Sequence, residues 1–82
     1  GDFDYRFKEL NPQFLNRLLS YSPDLTDAEV RLCSMLYLNM NTKDIALVTN
    51  RSIRTVENLR YRVRNKLNLK KEENLTSWLY KL

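Results

Sequence analysis

The stretch TKDIALVTNRSIRTVENLRYRVRNKLN, residues 42–68, has the pattern of a short and a long helix joined by a brief break. Thr42 is predicted to cap a short helix, because a side-chain oxygen at that position can accept a backbone N–H. A three-residue break at 49–51 follows, and Ser52 then caps a long helix over about 53–67. We interpret this pair of helices as the centre of the domain.

The segment RYRVRNK, residues 60–66, has a base at every second position. On a strand these bases would share one face, but at 100° per residue they scatter around a helix. The apolar arc of that helix comprises Val56, Leu59, Val63 and Leu67. The wheel places Arg62 opposite this arc and Arg64 and Lys66 on its two flanks. Arg60 lies almost against the core, where its stem is expected to cover apolar surface.

Helical patterns continue on both sides of this stretch. Thr26 and Glu29 have the spacing of a capping box, which predicts a helix that continues to about Leu38. Near the end, apolar residues recur at i, i+3, i+4 and i+7: Leu75, Trp78, Leu79 and Leu82. No segment has a strand pattern. The chain is therefore predicted to be all-α, a compact bundle of roughly 5–6 helices with a helix-turn-helix and no wing.

The only glycine is Gly1, although helix ends often need a residue in the left-handed region. Asparagine tolerates that region better than most other residues. Asn39, Asn50 and Asn68 fall at the predicted helix ends, and we expect them to take this role.

Composition excludes several classes of function. The 82 residues suffice for one domain, and they contain one cysteine, Cys33, and no histidine. An internal disulfide, a Cys/His zinc site, an imidazole base and a glycine-rich phosphate loop are all excluded. We therefore expect no enzyme, no catalytic residue, no metal and no cofactor. The lack of a long apolar run and the reduced cysteine favour a cytoplasmic protein with no membrane partner.

Positive charge is concentrated in one part of the chain. Residues 42–71 contain nine lysines and arginines against two acids, whereas residues 1–41 contain four bases and six acids. A basic block between acidic flanks is typical of a polyanion-binding face, although a merely solvated face is the alternative.

Four motifs between Leu25 and Leu69 carry a family resemblance. They are LTDAE at 25–29, NMNTKDIA at 39–46, SIRTVENL at 52–59 and KLNL at 66–69. In this order and spacing they resemble the LuxR-type (GerE-like) helix-turn-helix, the DNA-binding output domain of many bacterial transcriptional regulators. The flanks resemble a subset from Bacteroides-like bacteria. The resemblance implies a DNA-binding domain over 25–82, preceded at 1–24 by a helical connector or by an extra helix that covers the core.

Departures from the family pattern cluster near the break between the two helices. Thr49 and Arg51 replace apolar residues there, so we expect Val48 and Ile53 to fill the space.

Glu57 stands where the family usually has lysine. It could accept a hydrogen bond from a cytosine amino group, or it could pair with Arg54 or Arg60 one turn away.

The resemblance maps base recognition onto Glu57, Asn58 and Tyr61. Asn58 could pair bidentately with adenine, or it could be an ordinary solvated asparagine; Tyr61 could contact a thymine methyl or a phosphate. The full set of predicted DNA-binding residues is Thr42, Lys43, Arg51, Ser52, Arg54, Thr55, Glu57, Asn58, Tyr61, Arg62, Arg64 and Lys66.

The last predicted helix has two interpretations. It could close the core, or, as the resemblance implies, it could pair two copies of the chain through Leu75, Trp78, Leu79 and Leu82.

Two other functions stay open. One is a module like region four of a sigma factor, which would bind promoter DNA and RNA polymerase. The other is a protein-interaction or dimerisation module whose basic face is only solvated.

Overall fold

The computed structural model describes residues 2–82, and within them every regular element is a helix. The six helices are α1 (Asp2–Leu10), α2 (Pro12–Tyr21), α3 (Asp27–Tyr37), α4 (Thr42–Thr49), α5 (Ile53–Lys66) and α6 (Leu75–Tyr80). The all-α prediction and the expected number of helices are therefore confirmed. No helix in residues 2–82 is long and apolar enough to cross a membrane.

The helix starts follow from local side-chain chemistry. At α3 the backbone N–H of Thr26 donates to Glu29 Oε1 at 2.8 Å, and Glu29 N–H donates to Thr26 Oγ1 at 3.2 Å, which confirms the capping box. The prediction for α4 was wrong by one residue. Asn41 caps this helix, because it forms the same reciprocal pair with Asp44 three residues later, and Thr42 is already helical.

Left-handed asparagines end three of the helices, as predicted. Asn39, Asn50 and Asn68 have φ values of 64°, 54° and 57°. After α4, Asn50 N–H donates to Leu47 O at 3.3 Å and Arg51 N–H to Ala46 O at 2.9 Å. The same two bonds follow α3 and α5, so all three ends are Schellman motifs that satisfy terminal carbonyls. Residues 50–52 thereby become a tight connection between α4 and α5.

The core is continuous along the chain and does not divide at residue 24. Phe7, Phe14 and Leu18 are buried in the same cluster as residues of α3 and α5, so the first two helices cover the core, which was one of the two possibilities for 1–24. Leu75 and Leu79 are each only 1% exposed. The suggestion that these two leucines pair two copies of the chain is therefore wrong, because they close the core of one copy.

The packing of α5 determines which of its faces is available. α4 packs mainly on α5, while α3 contacts both α5 and α6, and α1 packs on α2. α5 therefore lies against α3 and α4 with one side and leaves the other side to solvent.

Candidate nucleic-acid interface

α5 presents a polar face directly opposite its buried one. Val56, Leu59 and Val63 are at most 5% exposed, as the wheel predicted. The residues on the far side are all exposed: Arg54, Asn58, Tyr61, Arg62 and Asn65. Tyr61 is 66% exposed, which is high for an aromatic side chain. This face offers a carboxamide and a phenol between two guanidinium groups.

The four bases of residues 60–66 have different environments. Arg60 is half-buried, and this burial lowers the pKa of its guanidinium, as does the charge of Arg64, while Glu57 opposes the shift. Arg62 is the most available of the four, with 63% of its side chain exposed; its closest acid is Glu29, whose Oε2 lies 3.9 Å from Arg62 Nε.

Arg64 is bound to the chain itself. Its guanidinium donates to the carbonyl oxygens of Glu73 at 2.7 Å, Lys70 at 2.9 Å and Lys71 at 3.4 Å. These bonds fasten the segment between α5 and α6 onto α5. We therefore remove Arg64 from the candidate interface. The wheel placed this side chain on a flank, but it could not show which backbone would lie beside it.

Lys66 is also held within the fold. Its ammonium donates to Glu29 Oε1 at 2.7 Å and to the carbonyl oxygen of Asp24 at 3.0 Å. Burial raises the pKa of Glu29, but the bonds from Lys66 and Thr26 outweigh burial and leave that pKa below its ordinary value. The carboxylate therefore stays charged and is paired with Lys66. Lys66 is therefore not part of the candidate interface.

Two further exposed cations, Lys43 and Arg51, precede Arg54 along the chain. Lys43 lies at the start of α4, Arg51 in the connection and Arg54 in the first turn of α5. Ser52 caps α5 by accepting Thr55 N–H at 3.0 Å, and the two hydroxyl oxygens lie 2.9 Å apart. The candidate interface thus retains Lys43, Arg51, Ser52, Arg54, Thr55, Glu57, Asn58, Tyr61 and Arg62, with Thr42 half-buried at its edge.

Glu57 is exposed on the flank of this face. Within residues 2–82 Glu57 forms no ion pair, so the predicted contact with Arg54 or Arg60 is not seen. Its charge acts on Arg60 only at longer range, where it raises the pKa of the guanidinium. Its carboxylate oxygens therefore remain available as acceptors.

The apolar residues near the connection do not fill the core as expected. Val48 is 63% exposed and Ile53 is 44% exposed, and Leu47 beside them is 83% exposed. The side of α4 that faces the core carries Ile45 and Ala46 instead. Thr49, which replaces an apolar residue of the family pattern, satisfies its hydroxyl by donating to Ile45 O at 2.6 Å.

Other kinds of site find little support in the described part of the chain. No group of three or more histidine, cysteine or acidic side chains in residues 2–82 is placed to hold a metal ion.

Comparison with models of known protein families gave no match, and comparisons with curated proteins and with solved structures gave none either. The family resemblance therefore remains a prediction from the four motifs.

Proposed function

We propose that this chain binds double-stranded DNA sequence-specifically, as the output domain of a bacterial transcriptional regulator. One observation carries the proposal. The exposed face of α5 places Asn58 and Tyr61 between Arg54 and Arg62, while Arg64 and Lys66, which lie off this face, are bound within the fold. Arg62 keeps 63% of its side chain exposed although Glu29 lies 3.9 Å away, so Arg54 and Arg62 are the bases of this face that a DNA duplex could contact.

In this proposal α4 and α5 act as a helix-turn-helix, a short and a longer helix joined by the residues 50–52. The longer helix would enter the major groove with its N-terminal turns toward the base edges. Asn58 would pair with adenine, and Tyr61 would contact a thymine methyl or a phosphate. Lys43, Arg51 and the arginines of α5 would neutralise phosphates, which makes affinity dependent on salt.

The test compares three variants with the wild type on duplexes selected from a random library. Arg54→Ala and Arg62→Ala should weaken binding to all sequences and should each reduce the slope of log K against log salt by about 0.9. Asn58→Ala should change the preferred sequence at one position, at a cost of about 1–3 kcal/mol for the original base pair. Lys81→Ala, an exposed cation at the end of α6, is the control and should change neither property.

Two results would contradict the proposal. One is a wild-type protein that binds no duplex even at low salt, which would favour a protein-interaction module. The other is unchanged affinity in all three variants. A module like region four of a sigma factor would additionally retain RNA polymerase in a pull-down experiment. We propose no catalytic activity, and a cytoplasmic location is part of the proposal.

We propose that a homodimer, if it forms on DNA, uses the aromatic surface between α2 and α6. Trp78 is half-buried there and packs edge-on against exposed Tyr21, with ring centroids 4.9 Å apart, and Leu82 is half-buried as well. Tyr21→Glu should then lower the dimer fraction in sedimentation experiments without loss of helicity. Selected duplexes that contain a single half-site, bound by one copy, would exclude this role for the surface.

A further inference from the structure

The first turn of α1 lies beside the connection between α4 and α5. A shallow surface concavity of about 440 Å³ is lined by residues of three separate segments, among them Asp2, Phe3 and Asp4 of α1, Arg31 of α3 and Arg51 of the connection. The acidic start of α1 and the basic connection of the candidate interface therefore share one surface. Neither the sequence pattern nor the proposed function requires this arrangement.

α1 is held in place by contacts with α2 and α3. Arg31 binds Asp4 with two hydrogen bonds, Nε to Oδ1 at 3.0 Å and Nη2 to Oδ2 at 2.6 Å. Phe3 stacks on Phe7 with centroids 5.9 Å apart, and Phe7 reaches the core. α1 also packs on α2, and because an isolated helix of nine residues is unstable in water, its position depends on these tertiary contacts.

The two acids of the first turn play different parts in this arrangement. The charge of Asp4 is offset by Arg31, and this pair sets where the first turn lies. Asp2 is exposed and adds a negative charge to the concavity that also contains Arg51. A phosphate approaching Arg51 would be repelled by Asp2 for as long as α1 is docked.

We propose that docked α1 is an autoinhibitory element, in which Asp2 weakens polyanion binding at Arg51 and release of α1 from α3 strengthens it. The inference rests on the proposed function insofar as the polyanion is duplex DNA. Because coupling between two equilibria is reciprocal, binding of the polyanion must in turn favour the released helix. One exposed charge beside a binding site changes affinity about twofold at low salt, and the effect falls as salt screens it.

The experiment compares Asp2→Asn with Glu9→Gln. Both remove one exposed negative charge from α1, but Glu9 lies at the opposite end of the helix. Affinity for a random 20-base-pair duplex and retention on immobilised heparin are measured at low and high salt. Asp2→Asn should bind both polyanions about twofold more tightly at low salt and equally at high salt, and Glu9→Gln should match the wild type.

The two polyanions separate failure of this inference from failure of the proposed function. If Asp2→Asn and Glu9→Gln behave alike, autoinhibition is overturned whatever the DNA result. If only heparin distinguishes them and no duplex binds, autoinhibition stands and the proposed function fails. If the wild type binds neither polyanion, both are overturned.

Amide hydrogen exchange tests the release of α1 directly. With a saturating polyanion, amides of α1 should exchange faster than in the free protein, whereas amides of α5 should be slowed. Equal or slower exchange in α1 would overturn the coupled release of this helix. Phe3→Ala, which weakens docking without a change of charge, should give fast exchange in α1 even without the polyanion and should reduce the additional effect of Asp2→Asn.

Discussion

Replacing Glu29 with glutamine should destabilise the domain by about 2 kcal/mol at neutral pH. The carboxylate side chain is 2% exposed and accepts from the ammonium of Lys66 at 2.7 Å. Glutamine keeps the size of the side chain, and its oxygen can still accept from Thr26 N–H, so the capping box can survive. The substitution therefore removes mainly the charge and leaves Lys66 facing a neutral amide.

The expected loss of stability is worked out from the two cations that contact Glu29. A hydrogen bond to a charged group contributes about 1.5–3 kcal/mol, and we take about 2 because the side chain of Lys66 is 29% exposed and partly regains water. Arg62 adds little, since its side chain is 63% exposed and its Nε lies 3.9 Å from the carboxylate. In a domain of this size, a loss of about 2 kcal/mol lowers the Tm by about 10 °C.

The pH dependence provides a separate test. The pKa of Glu29 in the folded protein lies below its ordinary value of 4.5, so its stabilising contribution is present above that value and is lost as pH falls through the folded pKa. The difference between wild type and Glu29→Gln should be constant above about pH 5.5 and should shrink at lower pH. Asp4 and Asp24 also have lowered pKa values, through hydrogen bonds from Arg31 and Ser22, but they are present in both proteins and cancel in the difference.

Urea denaturation followed by circular dichroism, from pH 3 to 7, measures this difference. Lys66→Met and the double variant complete a cycle, whose coupling energy should be about 1–2 kcal/mol at pH 7 and should decrease as the pH falls toward 3. A loss of stability below about 0.5 kcal/mol for Glu29→Gln, or a difference that does not shrink with acid, would show that the Lys66–Glu29 pair contributes little to stability.

Three further predictions concern stability and reactivity. Asn50→Ala should cost about 1 kcal/mol in urea denaturation because of its left-handed conformation, while Asn50→Gly should be neutral or stabilising; equal losses would contradict that explanation. Arg64→Met should lower the free energy of unfolding by about 2 kcal/mol, because Arg64 donates to three carbonyls, and it should leave the salt slope of the proposed DNA binding unchanged. Arg62→Met should change the free energy of unfolding by less than about 0.5 kcal/mol but should reduce that slope. Cys33 is fully buried, and burial raises the pKa of its thiol to about 12, so a disulfide reagent should label it only as the protein unfolds; rapid labelling in native buffer would show the burial to be incorrect.

Local features of this fold could be predicted because a few neighbouring residues determine them. The capping box of Thr26 and Glu29 and the left-handed conformations of Asn50 and Asn68 depend on hydrogen bonds that span five residues or fewer. The misplaced start of α4 has the same local origin. Asn41 and Thr42 are both good capping residues, and Asp44 decides between them by completing a reciprocal pair with Asn41.

Helical periodicity and capping are properties of short segments, so the all-α class, most helix ends and the buried face of α5 could be predicted from the sequence. Which bases of residues 60–66 remain exposed depends on tertiary contacts. Lys66 is held by Glu29, which lies 37 residues away in the sequence, and Arg64 by carbonyls of the segment that folds back after α5. A helical wheel gives the direction of a side chain but not the neighbour that it meets. That neighbour determines whether a cation stabilises the fold or remains exposed for the proposed DNA binding.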